Sequence, residues 1–218
     1  MAKRESPLEP PEGPLQGTLI EWAENNTLYR VHHERFQGDA FNPTPIGNAR
    51  FSPILNSSGQ LIPTLYAGST LFCALMETVF HDVPYKAGFK ALSVTRLHEH
   101  VVSTIVLKKD LLLIDLGTVA LHKLGIQRNQ LIDTTKAHYP RTRLWAEALH
   151  RQFPKAQGLR WTSRQEDHAQ AVMLFGDRVK SSLITSMLDS SPLLDEDGYA
   201  IRPVLDLATR LGVTLINE

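Results

Sequence analysis

Apolar positions recur along this chain with two periods, every second residue in some stretches and every third or fourth in others. Leu28-Tyr29-Arg30-Val31-His32 carries the aromatic and β-branched residues of a short strand. Residues 41–48 hold two prolines and a Gly-Asn pair, which forbid a central strand and mark a loop. Asn56-Ser57-Ser58-Gly59 reads as a hairpin tip, with Leu61–Ala67 as the returning strand. Ser69 is placed to cap a helix in which Phe72, Leu75, Met76, Val79 and Phe80 form one apolar stripe. Strands follow at Phe89–Thr95, Val101–Leu107 and Leu111–Asp115. Thr118–Leu124 is predicted as a helix closed by Gly125, and Thr142–Phe153 as a second one stopped by Pro154. Gly158–Thr162 and Ala171–Phe175 read as late strands, and Pro203–Leu211 as a last helix. Regular strand-helix-strand alternation is rare, so the expected class is α+β, with small, mostly antiparallel sheets flanked by helices.

Composition narrows the function classes without finding a site. Lys plus Arg and Asp plus Glu number 23 each, so the chain lacks the basic excess of a nonspecific nucleic-acid binder, and no direct nucleic-acid contact is expected. Its one cysteine, Cys73, lies in an apolar stretch and cannot pair within the chain, which fits a reducing cytoplasm. No stretch approaches the roughly 20 apolar residues of a membrane span, and the N-terminus lacks the apolar core of a signal peptide, so a cytoplasmic location away from membranes is expected. Residues 1–17 carry four prolines and read as a flexible arm; residues 18–180 form the domain. The less patterned stretch 181–218 is expected to pack on that domain or to form an oligomer contact, as in a homodimer.

Candidate chemistry starts from what is missing. There is no Gly-rich phosphate loop and no Gly-x-Ser-x-Gly elbow. The nine histidines show no metal-binding spacing, and His32 and His33, adjacent on a strand, point to opposite faces, so no metal is expected. What remains are polar side chains in apolar settings. Arg30 sits in a strand and Arg50 just after the proline-rich loop, and each offers planar donors suited to a pyrophosphate or carboxylate; either alone also reads as a surface ion-pair partner. Glu77 lies about 130° from the apolar stripe of its helix, so the pattern does not drive it into the core, and a solvated glutamate fits equally well. Tyr66 ends a strand, with a ring to stack and a hydroxyl to donate, and Ser163 ends a late strand near a loop.

The order and setting of these residues carry more than each one singly. Leu-Tyr-Arg, Ala-Arg-Phe-Ser-Pro, Leu-Tyr-Ala-Gly-Ser, Ala-Leu-Met-Glu-Thr-Val-Phe-His and Gly-Leu-Arg-Trp-Thr-Ser follow one another between about Leu28 and Phe175. The set resembles the RES domain, the toxin of bacterial RES–Xre toxin–antitoxin pairs. The resemblance implies a fold similar to ADP-ribosyltransferases and an enzyme that splits NAD⁺ at the nicotinamide–ribose bond, acting as an NAD⁺ glycohydrolase with water or an NAD⁺ phosphorylase with phosphate. NAD⁺ is then substrate, inorganic phosphate an alternative co-substrate, and no further cofactor is required. The partner implied is an Xre-like helix-turn-helix antitoxin that covers the site. The motif positions carry over as Arg30, Arg50, Tyr66, Glu77 and Ser163: Glu77 against the ribose cation, the arginines on the pyrophosphate, Tyr66 at the nicotinamide end, Ser163 on a ribose or phosphate oxygen. Two other readings stay open: transfer of ADP-ribose to a protein target, and a non-catalytic ligand-binding or interaction module.

Overall fold

The computed structural model describes residues 9–187 and 190–217. The chain starts to pack earlier than the proline-rich composition implies. Leu15 is buried, its amide donates to Gln152 Oε1 at 2.7 Å, and Gln152 Nε2 donates to the Gly13 carbonyl at 3.2 Å. The arm therefore gives way to anchored chain at Leu15, because an apolar side chain in a polar segment has a core to enter. Of the expected arm, residues 1–8 lie outside the described residues.

β1 (Thr18–Trp22) and β2 (Thr27–His33) precede the loop, which leads into the hairpin of β3 (Ile54–Leu55) and β4 (Leu61–Ile62). Pro63 then breaks the expected returning strand, and β5 resumes at Thr64–Gly68. Helix α1 spans Leu71–Thr78, with Thr70 as its cap: Thr70 Oγ1 accepts from the Cys73 amide at 3.0 Å. The expected cap, Ser69, is still part of the sheet. Its amide donates to the Gln170 carbonyl and its Oγ accepts from the Gln170 amide, so the helix starts one residue later.

β6 (Lys90–Ser93) is shorter than expected, because the chain turns at Ser93 into α2 (Val94–His98) before β7 (His100–Leu107) and β8 (Leu111–Asp115). α3 (Thr118–Leu124) ends at Gly125, whose φ of 78° is the left-handed conformation that glycine adopts without a steric penalty. After α4 (Arg128–Leu131), α5 runs Tyr139–Gln152, starting three residues ahead of the expected Thr142 because Pro140 is tolerated in a first turn. β9 (Gly158–Thr162) and β10 (Gln170–Phe175) follow.

The tail is packed on the domain. β11 (Ile184–Ser186) and β12 (Ser191–Pro192) both pair with β7, α6 (Ile201–Leu211) lies against α1, and β13 (Val213–Ile216) pairs in parallel with β6.

The main sheet runs β1-β8-β9-β10-β5-β2-β7-β11, with β12 beside β11 on β7, and is antiparallel except at β8–β9. It is buried on both faces, as β10 shows. Ala171, Met173 and Phe175 face one cluster with Phe51, Trp145 and Trp161, while Val172 and Leu174 face another with Leu28, Leu65 and Ile105. A third cluster gathers Leu75 and Met76 of α1, and Val79 just after it, with Val204 and Leu207 of α6. The α+β expectation is met.

One irregularity prepares the site. Neighbours β2 and β5 pair at a single position, Tyr29 with Gly68, and the rest of their facing lengths is unpaired. Near the far end of β5, Asn42 bridges Thr64 instead. The sheet is therefore split along this seam.

Candidate active site

A cavity of about 390 Å³ opens at that seam. Tyr29, Arg30, Val31 and His32 of β2 wall one side and Thr64, Tyr66 and Ala67 of β5 the other; α1 contributes Ala74, Glu77 and Thr78. α1 approaches β5 closely because residue 68 is glycine: a Cβ there would lie 2.8 Å from the Ala74 amide nitrogen and 3.0 Å from Cys73 Sγ. Four of the five residues singled out from sequence, Arg30, Arg50, Tyr66 and Glu77, line this cavity.

Arg50 carries the strongest electrostatic signal. Only 4% of it is exposed, and its Nε and Nη2 are buried without a hydrogen-bond partner. Its guanidinium lies 5.5 Å from the centre of the Tyr139 ring, a cation–π contact that offsets part of the desolvation. Among the described residues no carboxylate comes within ion-pair distance of it, although Glu77 is near enough to favour its charge. Burial lowers the pKa of Arg50 from its ordinary value. The backbone is held rigidly: the Arg50 carbonyl accepts from Thr142 Oγ1, and Arg143 of α5 donates to the Ala49 carbonyl at 3.2 Å and to the Asn48 side chain.

Arg30 is used differently. Its Nη1 donates to the carbonyls of Gly38 (2.8 Å), Ala40 (2.5 Å) and Gln37 (3.5 Å), so one nitrogen of the fork pins the 37–40 turn. Burial brings its pKa down to about 10. Beside it, His32 is buried with Nδ1 against the His33 carbonyl and Nε2 against Ser103 Oγ at 2.7 Å. Burial, followed by the charge of Arg30, pushes His32 down to about 4, so it is neutral near pH 7.

Tyr66 also supports the wall it belongs to. Its hydroxyl accepts from the Phe51 amide at 3.0 Å and its ring meets Trp161 edge-on at 6.1 Å. Burial raises the hydroxyl to about 12, so it stays protonated.

Glu77 and Ser163 form a direct pair. Ser163 is fully buried, and its hydroxyl donates to Glu77 Oε1 at 2.6 Å while accepting from the amides of Gln165 (3.0 Å) and Glu166 (3.2 Å). Two backbone donors fill the acceptor side of the hydroxyl and aim its proton at the carboxylate. Ser163 is absent from the cavity wall, so it holds Glu77 from behind, where direct contact with a ribose or phosphate oxygen was the expectation. Cys73, next to this pair, is buried, and burial pushes its thiol up to about 12.

Four further lining residues escaped the sequence reading: His81, Asp82, Lys136 and Tyr139. Asp82 lies 2.9 Å from His81 Nδ1 and 2.7 Å from Lys136 Nζ, and the Lys136 hydrogen bond draws its carboxyl down to about 2. His81 had a signal, four residues after Glu77; Lys136 and Tyr139 had none, since they arrive from a distant segment. The 162–166 turn is fastened by Arg128 Nη2 on the Thr162 carbonyl and by Arg164 Nη1 on the Thr134 carbonyl. Among the described residues no three His, Cys, Asp or Glu side chains are grouped to hold a metal ion, and no helix is long and apolar enough to cross a membrane.

The site can therefore bind an anion at Arg50 beside a carboxylate held by Ser163. The comparisons agree with the architecture. A chain of the M. tuberculosis MbcT–MbcA toxin–antitoxin complex has the same fold with a TM-score of 0.59, at 17% identity, over 82% of this chain and 90% of that one. No curated protein sequence matches. The family model described as RES domain matches residues 27–191, which takes in β2, the cavity and every candidate site residue, and this chain belongs to the RES domain family.

Proposed function

We propose that this chain is a toxin that destroys NAD⁺ by cleaving the bond between nicotinamide and ribose, and that an antitoxin protein restrains it. The observation that carries the reading is Arg50, a buried guanidinium with two unpartnered nitrogens in a cavity beside Glu77. A buried charged donor left unsatisfied costs on the order of 1–3 kcal/mol or more, a cost that a site built for an anionic substrate recovers on binding. The pyrophosphate of NAD⁺ supplies that anion.

Cleavage builds positive charge on the ribose as nicotinamide departs. Glu77, oriented by Ser163, stabilises that charge, and a low-dielectric wall strengthens the effect. Arg50 takes the pyrophosphate, with Arg30 lining the same cavity, and Tyr66 presents a neutral ring to the nicotinamide end. The structural neighbour belongs to a toxin–antitoxin complex, which supports a protein antitoxin as partner; the resemblance noted above makes it an Xre-like helix-turn-helix protein.

Purified protein, free of any antitoxin, is expected to release nicotinamide from NAD⁺, and Glu77→Gln to lower the rate about 10³-fold or more. Chromatography of the reaction checks this, with NAD⁺ levels in induced cells as the second readout. Absence of release from the wild-type protein sinks the reading, and transfer of label from NAD⁺ to a protein redirects it to ADP-ribosylation.

A further inference from the structure

The cleavage proposed above leaves one proton unassigned. NAD⁺ carries nicotinamide as a pyridinium, so the ring leaves with the C–N electron pair as a neutral molecule and needs no acid. When water is the acceptor, its oxygen bonds to the ribose carbon and a proton must leave that oxygen. Glu77 is poorly suited to take it. Its Oε1 already accepts the Ser163 hydroxyl at 2.6 Å, and its negative charge is what stabilises the cation.

A second titratable group faces the same cavity. His81 lies three residues past the end of α1, and its side chain is 17% exposed. Nδ1 is 2.9 Å from Asp82 Oδ1; a carboxylate oxygen only accepts, so in the neutral ring Nδ1 carries the proton and Nε2 is the atom left to accept one. Nε2 lies 3.4 Å from the Tyr139 hydroxyl, a long contact that a bound acceptor can displace. Asp82 is clamped from its other oxygen by Lys136. Gln165 joins the two halves of the site: its amide donates to Ser163 Oγ, and its side chain donates to the His81 carbonyl at 3.3 Å. One turn therefore sets both the carboxylate and the imidazole.

We propose that His81, oriented by Asp82, is the base that accepts the proton of the attacking water, an assignment that rests on the NAD⁺-cleaving reading. In the step, the water oxygen bonds to the ribose carbon and the C–N bond breaks, with its electron pair going to the nicotinamide nitrogen. The water proton moves to His81 Nε2. The imidazolium formed is stabilised by Asp82 at Nδ1 and gives its Nε2 proton up to solvent through the cavity as the products leave, so the products are ADP-ribose, nicotinamide and one proton. A phosphate dianion attacks through an oxygen that carries no proton, so His81 serves water and is dispensable for phosphate.

Nicotinamide release by the full-length protein tests this in phosphate-free buffer and with inorganic phosphate, with and without added imidazole. His81→Ala is expected to lose about 10²-fold or more of the water reaction, to keep most of the phosphate reaction, and to recover part of the water reaction with imidazole. His81→Gln keeps a donor for Asp82 but cannot take a proton; it should melt like wild type and lose the water reaction equally. An unchanged water reaction in either variant overturns the proposal. So does an equal loss in both buffers without imidazole rescue, or a wild-type protein active with phosphate alone. A wild-type protein silent in both buffers overturns the NAD⁺-cleaving reading together with this assignment.

Discussion

At the scale of single residues, function and stability pull in opposite directions at Arg50. Two of its guanidinium nitrogens are buried without a hydrogen-bond partner, so Arg50→Met is expected to leave the ligand-free melting temperature unchanged or raise it, while abolishing nicotinamide release. Calorimetry beside the activity assay checks both, and a clear loss of stability would mean that Arg50 is structural. Ser163 makes the opposite case. Ser163→Ala removes a hydrogen bond to a charged group, about 1.5–3 kcal/mol, so kcat should fall roughly 10- to 100-fold with KM little changed.

His32 gives a pH signature. Burial, then the nearby Arg30, holds its folded pKa at about 4 against an ordinary 6.5, so the unfolded chain binds the proton first. Stability is complete above pH 6.5 and falls as pH drops to about 4, by roughly 3 kcal/mol in total. Urea midpoints across that window should decline for wild type and flatten for His32→Gln. Glu77 was legible as a polar residue off an apolar stripe. That Ser163 serves Glu77 was not, because 86 residues separate them in sequence.

Among the elements, helix α1 decides the most. Its apolar side packs with α6 through Leu75 and Met76, while Glu77 meets the cavity, so the helix joins core and chemistry. Leu207 of α6 is 5% exposed in that contact, and Leu207→Ala should cost about 2–4 kcal/mol without touching the cavity. Thermal unfolding measures the cost, and an intact KM for NAD⁺ would show that the site survives. Most strand and helix positions were readable, because period-2 and period-3.6 patterns are local properties of a chain. The errors fell where a distant partner intervened. Ser69 was drawn into the sheet by Gln170, and β6 ended at Ser93, where its pairing with β13 ends at Ile216.

On the scale of the whole molecule, the site exists because β2 and β5 part after one paired position, leaving a cavity inside an otherwise continuous sheet. Filling it should be visible globally. ADP-ribose at about 100 times its Kd adds roughly 2.7 kcal/mol and raises Tm by about 5–10 °C, and Arg50→Met should remove that shift. Local sequence determined much of this protein: the α+β class, the helix carrying Glu77, the loop before Arg50, and an ordered motif set that marks the RES family. Only the tertiary structure decided that Arg50 is buried with two nitrogens unpaired, that Ser163 aims Glu77, and that His81, Asp82, Lys136 and Tyr139 face the same cavity. The physical reason is the range of the forces involved. Hydrophobic period and capping act over a few residues, whereas desolvation and hydrogen-bond satisfaction depend on whatever the fold brings within a few ångströms.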